Sequence, residues 1–433
     1  MSAIKFKLVI LVYISIFIAS SCYIFAPTLN TRYGEIKTSY KTLKSSKSPL
    51  LNFTTENTVR SVAISSNGSY IVAGSNDKNV YLFNNTSSKP MWNFTTCGGV
   101  ESVAISSNGM YIAAVGQDVS GDNRVYLFHR SSSTPLWYYD TNSRPTVAIS
   151  LDGKYVAVGD SFRVSLFNRT DFLWESSLTD GIMSIAVSSN GSYIVAGSNH
   201  GKVLLYNRSM PVPEWEDKDP EWIFDSGGPC GIFGVKFSSD GGNIVAGDYC
   251  GHIYTFNRES SVPLLTYDDV FWTVAFSDDG NYIAAGTGNN FVYLFSSQGT
   301  TSLWDHEIGG AVQSISISSD GLYTVAGSSD KKLYIFHYTS SVPLWTYQAA
   351  DTWYPVTISS DGKYIAAGNG NSTYLFGNYN SITVDDGIDG NGDGDSDGKD
   401  GGNIIPFGSS FLLFIIIILI AIVFYKRRKL NLR

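Results

Sequence analysis

The residues best suited to chemistry by type and spacing lie in an acidic stretch near the C-terminus, DDGIDGNGDGDSDGKDGGN (385–403). Asp389, Asn391, Asp393, Asp395, Asp397 and Asp400 fall at positions 1, 3, 5, 7, 9 and 12 of a calcium-loop register, with Gly394 at position 6. Alternating oxygen ligands suit a hard cation. The last position holds Asp rather than the longer Glu, and no helical pattern flanks the run. A solvated, self-repelling linker is therefore favoured over a calcium site. The five histidines, His129, His200, His252, His306 and His337, show no metal-ligand spacing. Asp268 and Asp269 would suit a glycosidase-like carboxylate pair, although an acidic turn is the ordinary explanation. No Gly-x-Ser-x-Gly elbow, phosphate loop or His-Glu-x-x-His occurs. No catalytic residue and no cofactor are assigned, and the expectation is a protein that is not an enzyme.

The elements that would position any site are repeats. A Ser/Leu-x-Asp/Asn-Gly turn recurs eight times, its glycines being Gly68, Gly109, Gly153, Gly191, Gly241, Gly280, Gly321 and Gly362, at gaps of 41, 44, 38, 50, 39, 41 and 41. A unit of this length cannot bury its own apolar face and must stack on its neighbours. Each unit reads as four short strands, for example ISIS, YTVAG, LYIF and PLWTY in residues 314–347. Four strands per unit predict propeller blades, an all-β fold.

Counting fourth strands gives the closure. Seven follow their own third strand, the last unit stops at STYLF (372–376), and an eighth copy, PLLNF (49–53), stands orphaned before the first inner strand. Eight blades result, the last completed by the N-terminal strand 49–53, so the ring has no open edge.

The segment SSDGKYIAAG and the Asp of SSDKKLYIF resemble the WD-repeat pattern over roughly residues 49–376. No Gly-His dipeptide precedes the inner strands, and Phe or Tyr (Phe83, Phe128, Phe167, Tyr206, Phe256, Phe295, Phe336, Phe376) stands where that family has Trp. The resemblance therefore lacks the family's buried His-to-Asp network. The run from VYLF through a Ser-rich turn to PLW resembles the quinoprotein (PQQ-like) repeat, which implies eight blades with an outer-strand Trp. Those positions are Trp92, Trp137, Trp174, Trp222, Trp304 and Trp345, with Leu51 and Leu265 in the other two. A quinone enzyme of that kind implies vicinal cysteines, and no Cys-Cys pair exists.

Both termini read as membrane segments around the propeller of residues 49–380. Residues 1–26 have the layout of a signal peptide, two lysines before an apolar run of 12 residues (8–19), with an uncleaved anchor as the alternative. A basic Ser/Thr/Lys linker follows at 27–48, and the acidic Gly/Asp linker occupies 381–403. Residues 404–425 include an apolar run long enough to form a transmembrane helix, and 426–433 form a basic tail. This layout resembles the C-terminal anchoring segments of archaeal surface proteins. Positive residues stay on the cytoplasmic side, so the expected location is the cell membrane, single-pass, with the propeller extracytoplasmic. The formal charge of −8 divides into +6 for 1–48, −13 for 49–384, −6 for 385–403 and +5 for 404–433. An acidic propeller argues against nucleic acid as a partner.

Nine Asn-x-Ser/Thr sequons, at Asn52, Asn67, Asn84, Asn85, Asn93, Asn168, Asn190, Asn207 and Asn371, suit a glycoprotein, although many would arise by chance in a chain so rich in Asn, Ser and Thr. Strand direction places Cys230 and Cys250 on one side of the fifth blade, where a disulfide is sterically open; two unpaired thiols are the alternative.

Call the face bearing the fourth-to-first and second-to-third loops the upper face. Both tethers then leave from the lower one. Loops that enter the inner strands line the mouth of the channel, and function concentrates on such loops. The expected mouth residues are Arg60, Glu101, Phe233, Phe271, Trp272, Gln313, Trp353 and Tyr354, an aromatic surface with one Arg and one Glu. That composition suits a protein partner or a small extracellular ligand; the plainer reading is that the aromatics plug a wide channel. The expected function is a membrane-anchored binding scaffold. The alternatives are a quinone-dependent or hydrolytic propeller enzyme and a structural envelope component.

Overall fold

The computed structural model describes residues 48–117, 122–142, 145–209, 217–269 and 271–378. Contacts divide the chain into 1–379 and 380–433, and all described residues belong to the first unit. The acidic run 385–403 and the expected helices at 1–26 and 404–425 lie outside the described residues. Among the described residues no helix is long and apolar enough to cross a membrane.

Among the described residues thirty-two strands form eight four-stranded antiparallel sheets. Blades 1 to 7 are each continuous in sequence, their strands in the order inner, second, third, outer. In blade 8 the strands Trp353–Ile358, Tyr364–Asn369 and Ser372–Gly377 are completed by Leu51–Thr54, which pairs antiparallel with Ser372–Gly377, Leu51 opposite Leu375. The eight-bladed ring closed from the N-terminal side is therefore observed.

The repeating turn joins inner to second strand at the lower face. All eight of its glycines have φ between +66° and +74°, a conformation that costs any residue with a Cβ. In blade 7 Ser318 Oγ donates to Asp320 Oδ1 (2.6 Å) and accepts from Tyr323 N (3.0 Å), while Asp320 Oδ1 accepts from Leu322 N (3.0 Å). Backbone bonds also link successive turns, such as Ser66 N to Ser107 O (3.0 Å) and Ser239 N to Asp278 O (2.6 Å). The lower rim is thus tied from blade to blade.

Two further devices join the blades. Each outer-strand Trp packs on the Phe or Tyr of the next blade's third strand: Trp92 on Phe128 (5.5 Å), Trp137 on Phe167 (5.0 Å), Trp174 on Tyr206 (5.5 Å), Trp222 on Phe256 (5.6 Å), Trp304 on Phe336 (5.3 Å) and Trp345 on Phe376 (5.8 Å). Leu51 and Leu265 sit in the corresponding clusters with Phe83 and Phe295. The residues standing where a WD repeat has Trp are thus the acceptors of a Trp from the preceding blade. On the channel side, inner strands are unpaired along one edge, and serine hydroxyls of the preceding blade cap them: Ser61 Oγ accepts from Val103 N (3.1 Å) and Ser184 Oγ from Val235 N (3.0 Å).

Candidate binding surface at the channel mouth

Six inner strands begin with a β-bulge. Val59, Ile182, Ile232, Phe271, Val312 and Trp353 pair with the end of the second strand, and the register then shifts before regular pairing resumes. A bulge inserts an unpaired residue and re-aims its side chain. The shifted residues are Arg60, Met183, Phe233, Trp272, Gln313 and, in blade 8, Tyr354 with Pro355. Arg60, Met183, Trp272 and Tyr354 are exposed, while Phe233 and Gln313 are partly exposed. Glu101 holds the matching position in blade 2 and is exposed; Pro145, in blade 3, is buried.

Phe271 and Trp353 do not belong to this mouth. Both precede the bulge, in the column that Val59, Ile182 and Val312 occupy in other blades, and both are buried. Phe271 packs edge-on against Tyr293 (5.8 Å) and Phe295 (5.9 Å). Trp353 lies among Tyr347, Tyr374 and Phe376, and its Nε1 donates to Lys331 O (3.0 Å). Their role is interblade packing. Apolar residues three before the inner-strand Val or Ile in other repeats carried that signal.

Trp272 and Tyr354 are the exposed aromatics of this ring, with 45% and 54% of their surface open. Trp272 is the one held against a glycine of its own blade. Its indole lies on Gly288 in the second-to-third loop of the same blade, where a Cβ would fall 2.4 Å from Cε2. Phe233 packs over Gly247 in the same manner and meets the exposed Tyr249 at 5.4 Å. Phe233 also packs against the blade-6 cluster that contains Phe271 and Val274. Blades 5 and 6 therefore present one aromatic side of the mouth. Tyr249 is absent from the expected set because it comes from a second-to-third loop rather than an inner strand.

A disulfide joins Cys230 to Cys250, Cα to Cα 5.5 Å, beside this surface. It ties the loop entering the inner strand to the loop carrying Tyr249. Cys97 is free and exposed. Asp248 is almost wholly buried beneath the same loop: Oδ1 accepts from Cys250 N (3.0 Å) and His252 N (2.9 Å), and Oδ2 faces His252 Nδ1 (2.9 Å) and Tyr254 Oη (3.0 Å). Burial, with the Asp248 carboxylate second, holds the Tyr254 phenol protonated well above its ordinary range. Tyr81 donates to Asp77 (2.8 Å) and Tyr334 to Asp330 in the same way. These Asp–Tyr pairs lock the turns at the upper face.

The opposite side of the mouth is open. A cavity of about 490 Å³ is lined by Asn76, Gln117, Asn123 and Glu101, and one of about 580 Å³ by Asn199, Ser161, Met183 and Glu101. Deeper in the channel, Lys236 replaces the Ala, Ser or Thr of other inner strands and lines a cavity of about 340 Å³. It keeps accessible surface because the channel is hollow. The strands enclosing it desolvate the ammonium and hold it below the usual lysine range, an effect Asp278 opposes. Among the described residues no group of three or more His, Cys, Asp and Glu side chains is placed to hold a metal ion.

Four segments, residues 47–84, 172–207, 262–296 and 297–337, match the WD domain, G-beta repeat. Each contains one outer strand and the inner, second and third strands of the next blade. Four of the eight repeats of the propeller are thus similar to WD repeats. Comparison with curated proteins finds no match.

Proposed function

We propose that this propeller is a protein-binding scaffold that holds its partner at the upper face, over the aromatic side of the mouth formed by Phe233, Tyr249 and Trp272. The observation that carries the reading is the exposed indole of Trp272, placed by a bulge and seated on Gly288. The blade core has no use for it, and exposed Trp and Tyr on a rigid support are typical binding anchors. WD propellers typically act as interaction scaffolds, which supports a protein as partner.

The scaffold is read as extracytoplasmic and tethered through residues 404–425, with the tail 426–433 inside the cell. Support comes from the apolar run followed by KRRK, the N-terminal apolar run and the sequons. It also comes from the ends of the described chain, since Leu50 N bonds to Leu375 O and both ends lie at the lower face. The upper face would then point away from the membrane. Protease added to intact cells should degrade the propeller and leave the C-terminal tail protected; a protected propeller would refute the topology while leaving the binding surface to its own test.

A further inference from the structure

One junction of the ring turns hydrogen-bond donors into the channel wall with no acceptor facing them. Amides of alternate inner-strand residues point toward the preceding blade. Val103, Val147, Val235 and Val356 donate to the hydroxyls of Ser61, Ser102, Ser184 and Ser314 at 3.1, 3.4, 3.0 and 3.2 Å, and Ile358 donates to Ser316 at 3.3 Å. In blade 6 the same register positions hold Val274 and Phe276, opposite Ala285 and Ile283, as Val356 and Ile358 stand opposite Ala367 and Ile365. Blade 5 sets Gly234 and Lys236 against them, in the places of Ser314 and Ser316. Neither side chain can accept a hydrogen bond. A Cβ on Gly234 would stand 3.1 Å from Val274 Cγ1, so the two strands are in contact there. Pro355 leaves Val62 uncapped in the same way, but the second position on that blade is Thr357, a hydroxyl rather than a cation.

Lys236 is itself unpartnered. Among the described residues its ammonium makes no hydrogen bond or ion pair, and the charge acting on it from farther off is the Asp278 carboxylate, which accepts from Ser319 Oγ. Across the channel, blades 1 to 4 place Ala63, Ala104, Ala148 and Ala186 at its level, so no acidic side chain meets it there. These residues line the cavity of about 340 Å³, which reaches the lower-rim turns at Ser189 and Ser239. A positive charge drawn out of bulk water without a counter-charge is costly, and an anion that supplies one offsets that cost.

We propose that this cavity binds a small carboxylate at the junction of blades 5 and 6, its oxygens accepting from the Lys236 ammonium and from the Val274 and Phe276 amides. Two oxygens let one ligand serve donors on both blades, which a chloride ion cannot do as well. One ammonium matches one negative charge, whereas a phosphate dianion would leave charge uncompensated inside an acidic propeller. The volume suits a ligand of a few heavy atoms. The site is built from the ring alone and depends on neither the protein partner nor the membrane tether.

Acetate is the probe, titrated calorimetrically into the full-length protein in detergent and a chloride-free buffer. Wild type is compared with Lys236→Ala, Gly234→Ser and Met91→Ala. The first two restore residues that blade 4 carries as Ala186 and Ser184, so the ring should stay folded, and the thermal midpoint checks that it does. Wild type should bind acetate saturably at one site. Lys236→Ala should weaken binding at least tenfold, and Gly234→Ser, which gives the Val274 amide a hydroxyl acceptor, at least threefold, while Met91→Ala leaves it unchanged. No saturable binding by wild type, or equal affinity in Lys236→Ala, would overturn the site. Tighter binding of inorganic phosphate than of acetate would overturn its assignment to a carboxylate.

Discussion

The ring of Tyr364, in the last blade, lies over Gly68, in the first, so close that a Cβ on Gly68 would stand 2.2 Å from Tyr364 Cδ2. The same pairing joins Tyr70 to Gly109, Tyr155 to Gly191 and Tyr282 to Gly321. Arginines of the third-to-fourth loops stack on several of these tyrosines, Arg130 on Tyr70 at 4.4 Å and Arg208 on Tyr155 at 4.0 Å. Tyr and Gly of the repeat are thus mated across blades, and Tyr364 with Gly68 closes the circle. Gly68→Ala combines about 1–2 kcal/mol for a side chain at positive φ with about 1–3 kcal/mol of overpacking. A drop in the thermal midpoint of the whole propeller is expected; an unchanged midpoint would show that the closure tolerates a displaced Tyr364.

Trp353 and Trp272 should respond in opposite ways. Trp353 is fully buried, so Trp353→Ala should cost about 3–5 kcal/mol of stability, the usual range for a core aromatic. Trp272→Ala should change stability by less than about 1 kcal/mol, as surface substitutions generally do. Denaturant unfolding of the two variants decides the matter, and equal losses would contradict the separation of core from mouth.

The bond between Cys230 and Cys250 spans a sequence separation of 20. Closing a loop of that length stabilises a fold by about 3 kcal/mol in the chain-entropy account. Cys230→Ser/Cys250→Ser should lower stability by about that much and raise hydrogen exchange in the loop that holds Tyr249. Cys97→Ser should do neither.

Acid should weaken the ring through its aspartate turns. In Asp240 the Ser238 hydroxyl, followed by the Gly242 amide, holds the carboxyl below its usual range. Asp152 and Asp361 are also lowered: desolvation, the largest single influence, pushes them up, but hydrogen bonds from Ser150 and Ser359 and from the following lysines outweigh it. A carboxyl whose folded pKa is depressed contributes stability above its unfolded value near 4, and that contribution disappears as pH falls through the folded value. Asp152→Asn/Asp240→Asn/Asp361→Asn, which copies the turns at Asn67, Asn108 and Asn190, should lose less stability between pH 5 and pH 2 than the wild type. A steeper acid limb in the variant would reverse the assignment.

The architecture was legible because the repeat writes it in fixed columns. The turn glycines, the outer Trp and its Phe or Tyr acceptor recur at set intervals, and the orphaned Leu51 strand could complete only the last blade. The mouth was read less well. Trp353 and Phe271 are neighbours of exposed residues in sequence, but a bulge separates them, and a bulge leaves no mark in a single repeat beyond the apolar column before it. Tyr249 reaches the surface from a loop whose conformation is set by Asp248 and the disulfide, both tertiary facts. The cysteine pair stayed open in the sequence because pairing depends on a Cα separation, here 5.5 Å.

Capture of a protein partner by the mouth around Trp272 is tested by affinity capture from detergent-solubilised native membranes, run in parallel with wild type, Trp272→Ala and Met91→Ala and read by quantitative mass spectrometry. One or more partners should be retained by wild type and by Met91→Ala, and depleted at least tenfold by Trp272→Ala while the thermal midpoint is unchanged. Equal recovery with Trp272→Ala would contradict the claim.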